Sequence, residues 1–298
     1  MRVLYLHNTA GVFTPVINWL NTHGHQSKVC IRSFYDKYQH SSRLDCAVVV
    51  NGGAKSFYLA SIRLIRSFKP DLIHISGSLE LLAIARFFAW RTPIVMTFHG
   101  SDIRNPEHKI PKTARLADFI HVTTPDLQPY GVWIDRPLDE SFHYRGGRVP
   151  NSALMFYSER FYKDKRQEAK VFCEARGIDL TILDTTAPDF LPIPNDQMPE
   201  YLSKFQYLLD WKDQLGELYA LSKIALEAIA CGVLVLHDEH PRYPILSSRI
   251  KIERPEAYLR LYRRLTRATR VHAIKRLPRL VISLLKLVFR GLTLRNDL

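Results

Sequence analysis

Three groups of side chains in this sequence have the chemistry of a ligand site. The first is a cationic pair, Arg160 and Lys165, which lie five residues apart directly after an apolar run that reads as a strand. Such a pair at a strand-to-helix turn suits a diphosphate, because Arg offers a planar fork, Lys a point charge and the helix start a partial positive charge. The alternative is a solvated charged turn that binds nothing.

The second group centres on a carboxylate in an apolar helix. Residues 220–236 predict a helix, a stop at Gly232 and a short buried strand, and Glu227 lies inside the helix. Burying a carboxylate costs free energy unless a partner pairs with it. The alternative is an exposed Glu227 paired with Lys223 four residues earlier, which stabilises a helix by only about 0.2–0.5 kcal/mol.

The third group follows a buried strand in the first half of the chain, where His99 and Asp102 stand in the sequence His-Gly-Ser-Asp. The end of such a strand is where an α/β sheet presents side chains to a ligand. The alternatives are a core or capping role for His99 and a cap of the following turn for Asp102. Gly11, in the first loop, would let a phosphate or an acceptor approach the backbone.

The order of these motifs resembles the retaining glycosyltransferases of family 4, which have the GT-B fold. Residues 226–235, Leu-Glu-Ala-Ile-Ala-Cys-Gly-Val-Leu-Val, are similar to the family's Leu-Glu-Ala-Met-Ala-Cys-Gly-Val-Pro-Val pattern. Arg160 and Lys165 match the spacing of its Arg and Lys, and residues 99–102 match its His-Gly-x-Asp. Residues 69–75, 117–126 and 133–142 resemble further family segments, so the likeness extends over residues 1–236.

The resemblance implies a role for each motif. Glu227 would hold the ribose of a nucleotide diphosphate sugar, Arg160 and Lys165 its diphosphate, and His99 the sugar. It also implies transfer with retention, with neither a bound metal nor a cofactor.

One position departs from the family. Tyr219 stands where the family has a first Glu that contacts the donor sugar. Ser222 and Lys223 would then replace the phosphate contacts of the family's Gly-Phe-Gly-Leu loop. Tyr219 is also the best support for an alternative function, a non-catalytic subunit that binds nucleotide sugars.

Alternating strands and helices must position these groups. Two such series, separated by a linker within residues 134–150, predict an α/β protein with two Rossmann-like parallel sheets. We expect an N-terminal, acceptor-side domain over residues 1–145 and a nucleotide-sugar domain over residues 146–253. Residues 254–298 are predicted to form a basic, amphipathic helical tail.

The positive charge of the chain is concentrated in that tail. The net charge is +13, and residues 254–298 hold twelve Lys or Arg against two Asp or Glu, which leaves +3 for the rest. A helix starting at Pro278 would combine a wide apolar arc with a cationic edge, which is typical of helices that lie on a membrane. The alternative is a closing helix packed across the first domain, and the two readings can hold for different parts of the tail.

Composition narrows the class of protein. An apolar content of 46% and a charged content of 24% exclude disordered and collagen-like chains. The four cysteines are scattered, which argues against a disulfide framework or a zinc site.

We therefore predict a cytoplasmic enzyme, peripheral on the inner face of the membrane, that transfers a sugar from a nucleotide diphosphate sugar to a lipid-linked or glycan acceptor. A nucleic-acid-binding or DNA-modifying protein is the other alternative. It is disfavoured because the charge lies in an apolar-rich tail.

Overall fold

The computed structural model describes residues 1–8, 11–36, 40–99, 112–134, 136–159, 165–211, 222–236 and 255–272. Asp102, Arg160 and Tyr219 lie outside these ranges, and so does the predicted amphipathic helix from Pro278. The chain divides into two compact units, Met1–Pro137 with Glu253–Leu298, and Leu138–Ile252.

The first unit is built on a parallel sheet that has seven strands in the described residues, in the order β3-β2-β1-β4-β5-β6-β7. The strands are β1 (Arg2–Leu6), β2 (Gln26–Arg32), β3 (Ala47–Val50), β4 (Leu72–Ser76), β5 (Ile94–Phe98), β6 (Phe119–Val122) and β7 (Val132–Trp133). The chain builds outward from β1 to β3 and then returns to the other side of β1 with β4. The strand order therefore reverses between β1 and β4, where sheets of this type bind ligands beyond the carboxyl ends of the strands.

Both faces of this sheet are covered, as the continuous apolar strands predict. Alternate residues of β1 divide between two cores, since successive side chains in a strand point to opposite faces. Leu4 and Leu6 pack on one face with α2 (Ala54–Phe68) and α3 (Leu79–Phe88). Val3 and Tyr5 pack on the other face with α1 (Thr14–Thr22).

The second unit has a parallel sheet of four strands in its described part, in the order β11-β10-β8-β9. Its elements are β8 (Ser152–Tyr157), α4 (Lys165–Glu174), β9 (Asp179–Asp184), α5 (Met198–Ser203), β10 (Tyr207–Leu209), α6 (Lys223–Ala230) and β11 (Leu234–Leu236). The strand order reverses between β8 and β10. Gly232, at a φ of +74°, ends α6 as predicted, because glycine adopts this left-handed conformation without a Cβ clash. The prediction of two Rossmann-like parallel sheets is confirmed.

The last described helix, α7 (Pro255–His272), belongs to the first unit. Tyr258, Leu259 and Tyr262 are buried in the same core as α1. The opposite side of the helix exposes four arginines, Arg260, Arg263, Arg264 and Arg267. The closing-helix reading of the tail thus describes this part of it. In the described part of the chain, no helix has the length and apolarity needed to cross a membrane.

Candidate functional site

His99 lies at the carboxyl edge of the first sheet, held by side chains from two neighbouring strands. Ser76, the last residue of β4, places its Oγ 2.6 Å from Nε2 of His99. Thr123, which follows β6, places its Oγ1 3.4 Å from Nδ1 of the same ring. Desolvation, helped by the positive charge of Arg136, holds the pKa of His99 well below its usual value. The imidazole is therefore neutral near pH 7 and suited to hydrogen bonding.

His7 stands beside this pair, at the point where the strand order reverses. Its Nδ1–H donates to the backbone oxygen of Ser76 over 2.8 Å, so Ser76 contacts both histidines. His7 has a φ of +63°, a left-handed conformation that is uncommon outside glycine. Its ring packs edge-on against Tyr35, with 4.6 Å between centroids. His7 belongs to none of the three groups identified from the sequence, yet it lies within the candidate site.

A buried chain of hydrogen bonds supports the strand ends from below. His121 Nε2–H donates to the oxygen of Ile134 over 2.8 Å, so its Nδ1 must accept from the Thr97 hydroxyl, 2.9 Å away. Thr97 has then used its hydrogen and accepts from His74 Nε2–H over 2.5 Å. His74 Nδ1 accepts from the hydroxyl of Tyr262 on α7, also over 2.5 Å.

These hydrogen bonds fix the tautomers of two neutral histidines, His74 and His121. Desolvation lowers the pKa of His74 well below its ordinary value and that of His121 to about 4. The buried contacts of His74 and His121 give both residues a structural role. They also tie α7 to the strand that carries His99, because Thr97 lies two residues before it.

In the second unit, Glu227 is buried, with 5% of its surface exposed. The alternative that left it exposed on the helix is wrong, although the pairing with Lys223 is present at 3.4 Å between Nζ and Oε1. Burial and the charge of Glu227 raise the pKa of the neighbouring Cys231 thiol to about 11. The carboxylate is thus set into an apolar helix beside a cation.

Ser222 begins the same helix. Its Oγ accepts the Ala225 N–H over 3.1 Å, which is an N-cap, and its own N–H donates to Asp210 Oδ2 over 3.2 Å. Asp210 directly follows β10 and is buried. The carboxyl edge of the second sheet therefore gathers Asp210, Ser222, Lys223 and Glu227 at the reversal of strand order.

Lys165 begins α4 at this edge and lies 2.9 Å from Glu168 Oε2 through its Nζ. The next residue, Arg166, places Nη1 3.4 Å from Asp184 Oδ2 at the end of β9. Arg160, its predicted partner in diphosphate binding, is outside the described residues. The pairing of Arg160 with Lys165 stays a prediction.

Comparisons with known proteins agree with this architecture. Residues 16–138 match the family description Glycosyltransferase Family 4. An alpha-glucosyltransferase solved in complex with UDP has a TM-score of 0.56 at 15% identity, covering 92% of this chain and 93% of that one. The chain has the GT-B fold and resembles glycosyltransferase family 4.

Two further solved structures share the fold. An alpha-glucosyltransferase in complex with UDP and a 13-mer DNA containing a central A:G mismatch has a TM-score of 0.57 at 14% identity, covering 93% of this chain and 92% of that one. A UDP-GlcNAc 2-epimerase from Neisseria meningitidis, bound to UDP-GlcNAc, has a TM-score of 0.50 at 16% identity, with coverages of 80% and 82%. None of the curated protein sequences compared with the chain matches it.

Gly11 has a visible packing role in this GT-B chain. It adopts a φ of +64°, and a Cβ at this position would stand 2.3 Å from the Cβ of His40. The glycine therefore lets the loop after β1 pack against the His40 segment. Its predicted approach to a ligand stays a prediction.

Two further residues at the carboxyl edges of the sheets were not identified from the sequence. Asp210 and Ser76 each end or follow an apolar strand, and neither belongs to a motif by itself. The available signal was the strand ends alone, because parallel strands bring their carboxyl ends to one edge.

Proposed function

We propose that this chain is a glycosyltransferase that uses a nucleotide diphosphate sugar as donor. The family match over residues 16–138 supports the general activity. The observation that carries the donor assignment is the buried carboxylate of Glu227, set in an apolar helix at the ligand-binding edge of the second sheet. Burying a carboxylate costs free energy, and the carboxyl edge of a parallel sheet is where α/β folds bind ligands, so a carboxylate kept there supports a binding role.

The chemistry of this edge suits the parts of a nucleotide diphosphate. The carboxylate oxygens of Glu227 would accept hydrogen bonds from two ribose hydroxyls. Lys223 and Lys165 bring positive charge, and both side chains are 23% exposed, so they remain within reach of a ligand. Arg160 would add a planar fork to the same diphosphate.

The reaction we propose breaks the bond between the anomeric carbon of the donor and its diphosphate oxygen. A bond forms between that carbon and an acceptor hydroxyl oxygen, and the hydroxyl proton leaves with the nucleoside diphosphate. The cations would stabilise the negative charge that develops on the leaving diphosphate. His99, held neutral by burial, would orient the donor sugar by a hydrogen bond. The assignment of Asp102 to the same step, like retention and independence of metal, rests on the family resemblance.

A lipid-linked or glycan acceptor at the cytoplasmic face of a membrane is the acceptor we favour. The support is the exposed arginine face of α7, together with the apolar and basic sequence that follows it. Each cationic side chain near an anionic leaflet contributes about 1 kcal/mol of attraction. The lipid surface would then bring the acceptor to the enzyme.

A DNA acceptor is the second candidate. The arginine face also suits a phosphate backbone, and one protein with a similar fold was solved with a 13-mer DNA. A non-catalytic subunit that binds nucleotide sugars without turnover is the third, and it rests on Tyr219.

The decisive assay incubates the purified chain with a panel of UDP-, GDP- and ADP-sugars and measures release of the nucleoside diphosphate. Release with at least one donor, increased by a glycan or lipid-linked acceptor, is the result expected. Stabilisation of the fold by a donor without any release would favour the non-catalytic subunit. If no donor in the panel stabilises the fold or releases its nucleoside diphosphate, the proposal is wrong.

A further inference from the structure

A pocket of about 250 Å³ opens at the carboxyl edge of the first sheet. It lies at the reversal of strand order, because its walls include His7, which follows β1, and the start of the segment after β4. The remaining walls include Arg32, Tyr35, Phe57, Tyr58 and Glu80. The residues proposed above to bind the nucleotide diphosphate lie in the other unit, and His99, which would orient the donor sugar, does not line this pocket.

The walls of this pocket combine ring surfaces with two fixed charges. The Arg32 guanidinium lies 5.4 Å from the centroid of Tyr35, and its Nε–H donates to the oxygen of Gly52 over 3.3 Å. Glu80 Oε2 accepts from the Ser78 hydroxyl over 3.2 Å, and Ser78 in turn caps α3. Each charged side chain thus has one hydrogen-bond partner beside the pocket.

The tyrosine hydroxyl at the wall responds to both charges. Desolvation raises the pKa of Tyr58, the negative charge of Glu80 raises it further, and Arg32 opposes them. Tyr58 thus keeps its hydrogen near pH 7 and stands close to a cation and an anion. The pocket offers donors and acceptors at its rim and aromatic surface between them.

We propose that this pocket binds one saccharide ring of the acceptor, an inference that rests on the glycosyltransferase function proposed above. A pyranose ring has C–H faces that pack on aromatic rings, and a rim of hydroxyls that both donates and accepts. Arg32 and Glu80 together match such a rim. A polyanion fits less well, since Glu80 would repel its phosphates.

The pocket is connected to His99 through two contacts. Its wall residue His7 donates to the backbone of Ser76, and the Ser76 hydroxyl meets the His99 ring at 2.6 Å. Through His7 and Ser76, a sugar in the pocket is thus connected to His99, the histidine that we expect to orient the donor sugar.

The test measures binding of methyl glycosides of glucose, galactose, mannose and N-acetylglucosamine by saturation-transfer NMR. Wild-type protein should bind at least one of them. Tyr35→Ala and Glu80→Gln should each weaken that glycoside about tenfold, since each removes a stacking surface or a charged acceptor. Phe87→Ala is the control: Phe87 is an aromatic residue of the same unit that is 54% exposed and does not line the pocket.

UDP binding, measured on the same samples, separates this inference from the proposed function. The glycoside effects should appear while UDP affinity and the melting temperature of each variant stay at wild-type values. UDP binding without any glycoside binding would overturn the pocket assignment and leave the donor proposal standing. Equal loss of glycoside binding in Phe87→Ala and Tyr35→Ala would also overturn it. So would a short single-stranded DNA that binds through Tyr35 while no glycoside binds. Glycoside binding without binding of any nucleotide sugar would support the pocket and count against the proposed function.

Discussion

Lys223 and Glu227 form an ion pair on α6 in which the carboxylate is buried and the ammonium is partly exposed. Their side chains are 23% and 6% exposed, with 3.4 Å between Nζ and Oε1. Glu200 and Lys204 on α5 form a pair of the same sequence separation, but their side chains are 72% and 52% exposed. An exposed pair needs no special explanation, whereas burying a carboxylate carries a desolvation penalty. This difference is why we assign ligand binding to Glu227 and use Glu200 as its control.

The diphosphate assignment predicts a selective loss of affinity. Lys165→Ala and Arg160→Ala should each weaken UDP binding about 10- to 100-fold, because each removes a charge-assisted bond worth roughly 1.5–3 kcal/mol. Uridine affinity should change little, since uridine has no phosphate. Isothermal titration with both ligands measures the difference. Lys170→Ala, an exposed lysine of the same helix α4, is the control; equal losses for UDP and uridine would point to misfolding and against the assignment.

The buried histidines predict a loss of stability in mild acid. His74, His99 and His121 all have a pKa below the ordinary value, so the unfolded chain takes up protons below about pH 6.5 while the folded chain does not. The free energy of unfolding should therefore fall as the pH falls from 7 to 5. His121, with a pKa of about 4 in the folded state, accounts for about 2 kcal/mol of that fall.

Urea unfolding at the two pH values measures this effect. In His121→Gln the fall between pH 7 and pH 5 should shrink by that amount, even if the variant is less stable at both. His23→Gln, which removes an exposed imidazole of the same unit, is the control. A fall as steep in His121→Gln as in the wild type would contradict the account of the buried chain of hydrogen bonds.

The arginine face of α7 predicts binding to anionic lipid. The full chain should sediment with anionic vesicles more than with neutral ones, and less at high salt, because exposed charges are screened. Arg264→Glu combined with Arg267→Glu should reduce that binding without lowering the melting temperature, since both side chains are exposed. Lys55→Glu with Arg63→Glu, on the exposed side of α2, makes the same change of charge elsewhere in the unit.

A parallel titration with duplex DNA decides between the two acceptors. Salt-sensitive DNA binding that is lost in the α7 variant, with no preference for anionic vesicles, would favour the DNA acceptor over the membrane. Equal effects of the α7 and α2 variants would show that net charge alone governs binding, and the arginine face would lose its role.

The strands were the part of the fold that the sequence predicted best. Apolar runs such as residues 72–75 and 94–98 are buried on both faces, so they stand out from their polar surroundings. β7 was not predicted, because it has two residues and both are exposed. The sequence predicts a helix over residues 58–68, and α2 begins four residues earlier, at Ala54, because residues 54–56 are exposed and show no apolar period.

The candidate site was predictable only where a motif carries it. Glu227 and His99 belong to recognisable patterns, and both lie at the carboxyl edge of a sheet. Ser76 meets His99 across 23 residues of sequence, and Asp210 meets Ser222 across 12. Such contacts arise from strand pairing and not from local spacing, so periodicity does not reveal them.

Calorimetric titration of UDP into wild-type protein, Glu227→Gln and Glu200→Gln tests the central claim most directly. Glutamine keeps the shape of the side chain and removes the charged acceptor of the ribose hydroxyls. The account predicts that Glu227→Gln binds UDP at least about tenfold more weakly at an unchanged melting temperature, while Glu200→Gln binds like the wild type. Two results would contradict the assignment of a nucleotide-sugar site to the second unit. One is an affinity of Glu227→Gln for UDP equal to that of the wild type. The other is a wild-type chain that binds neither UDP nor any other nucleoside diphosphate.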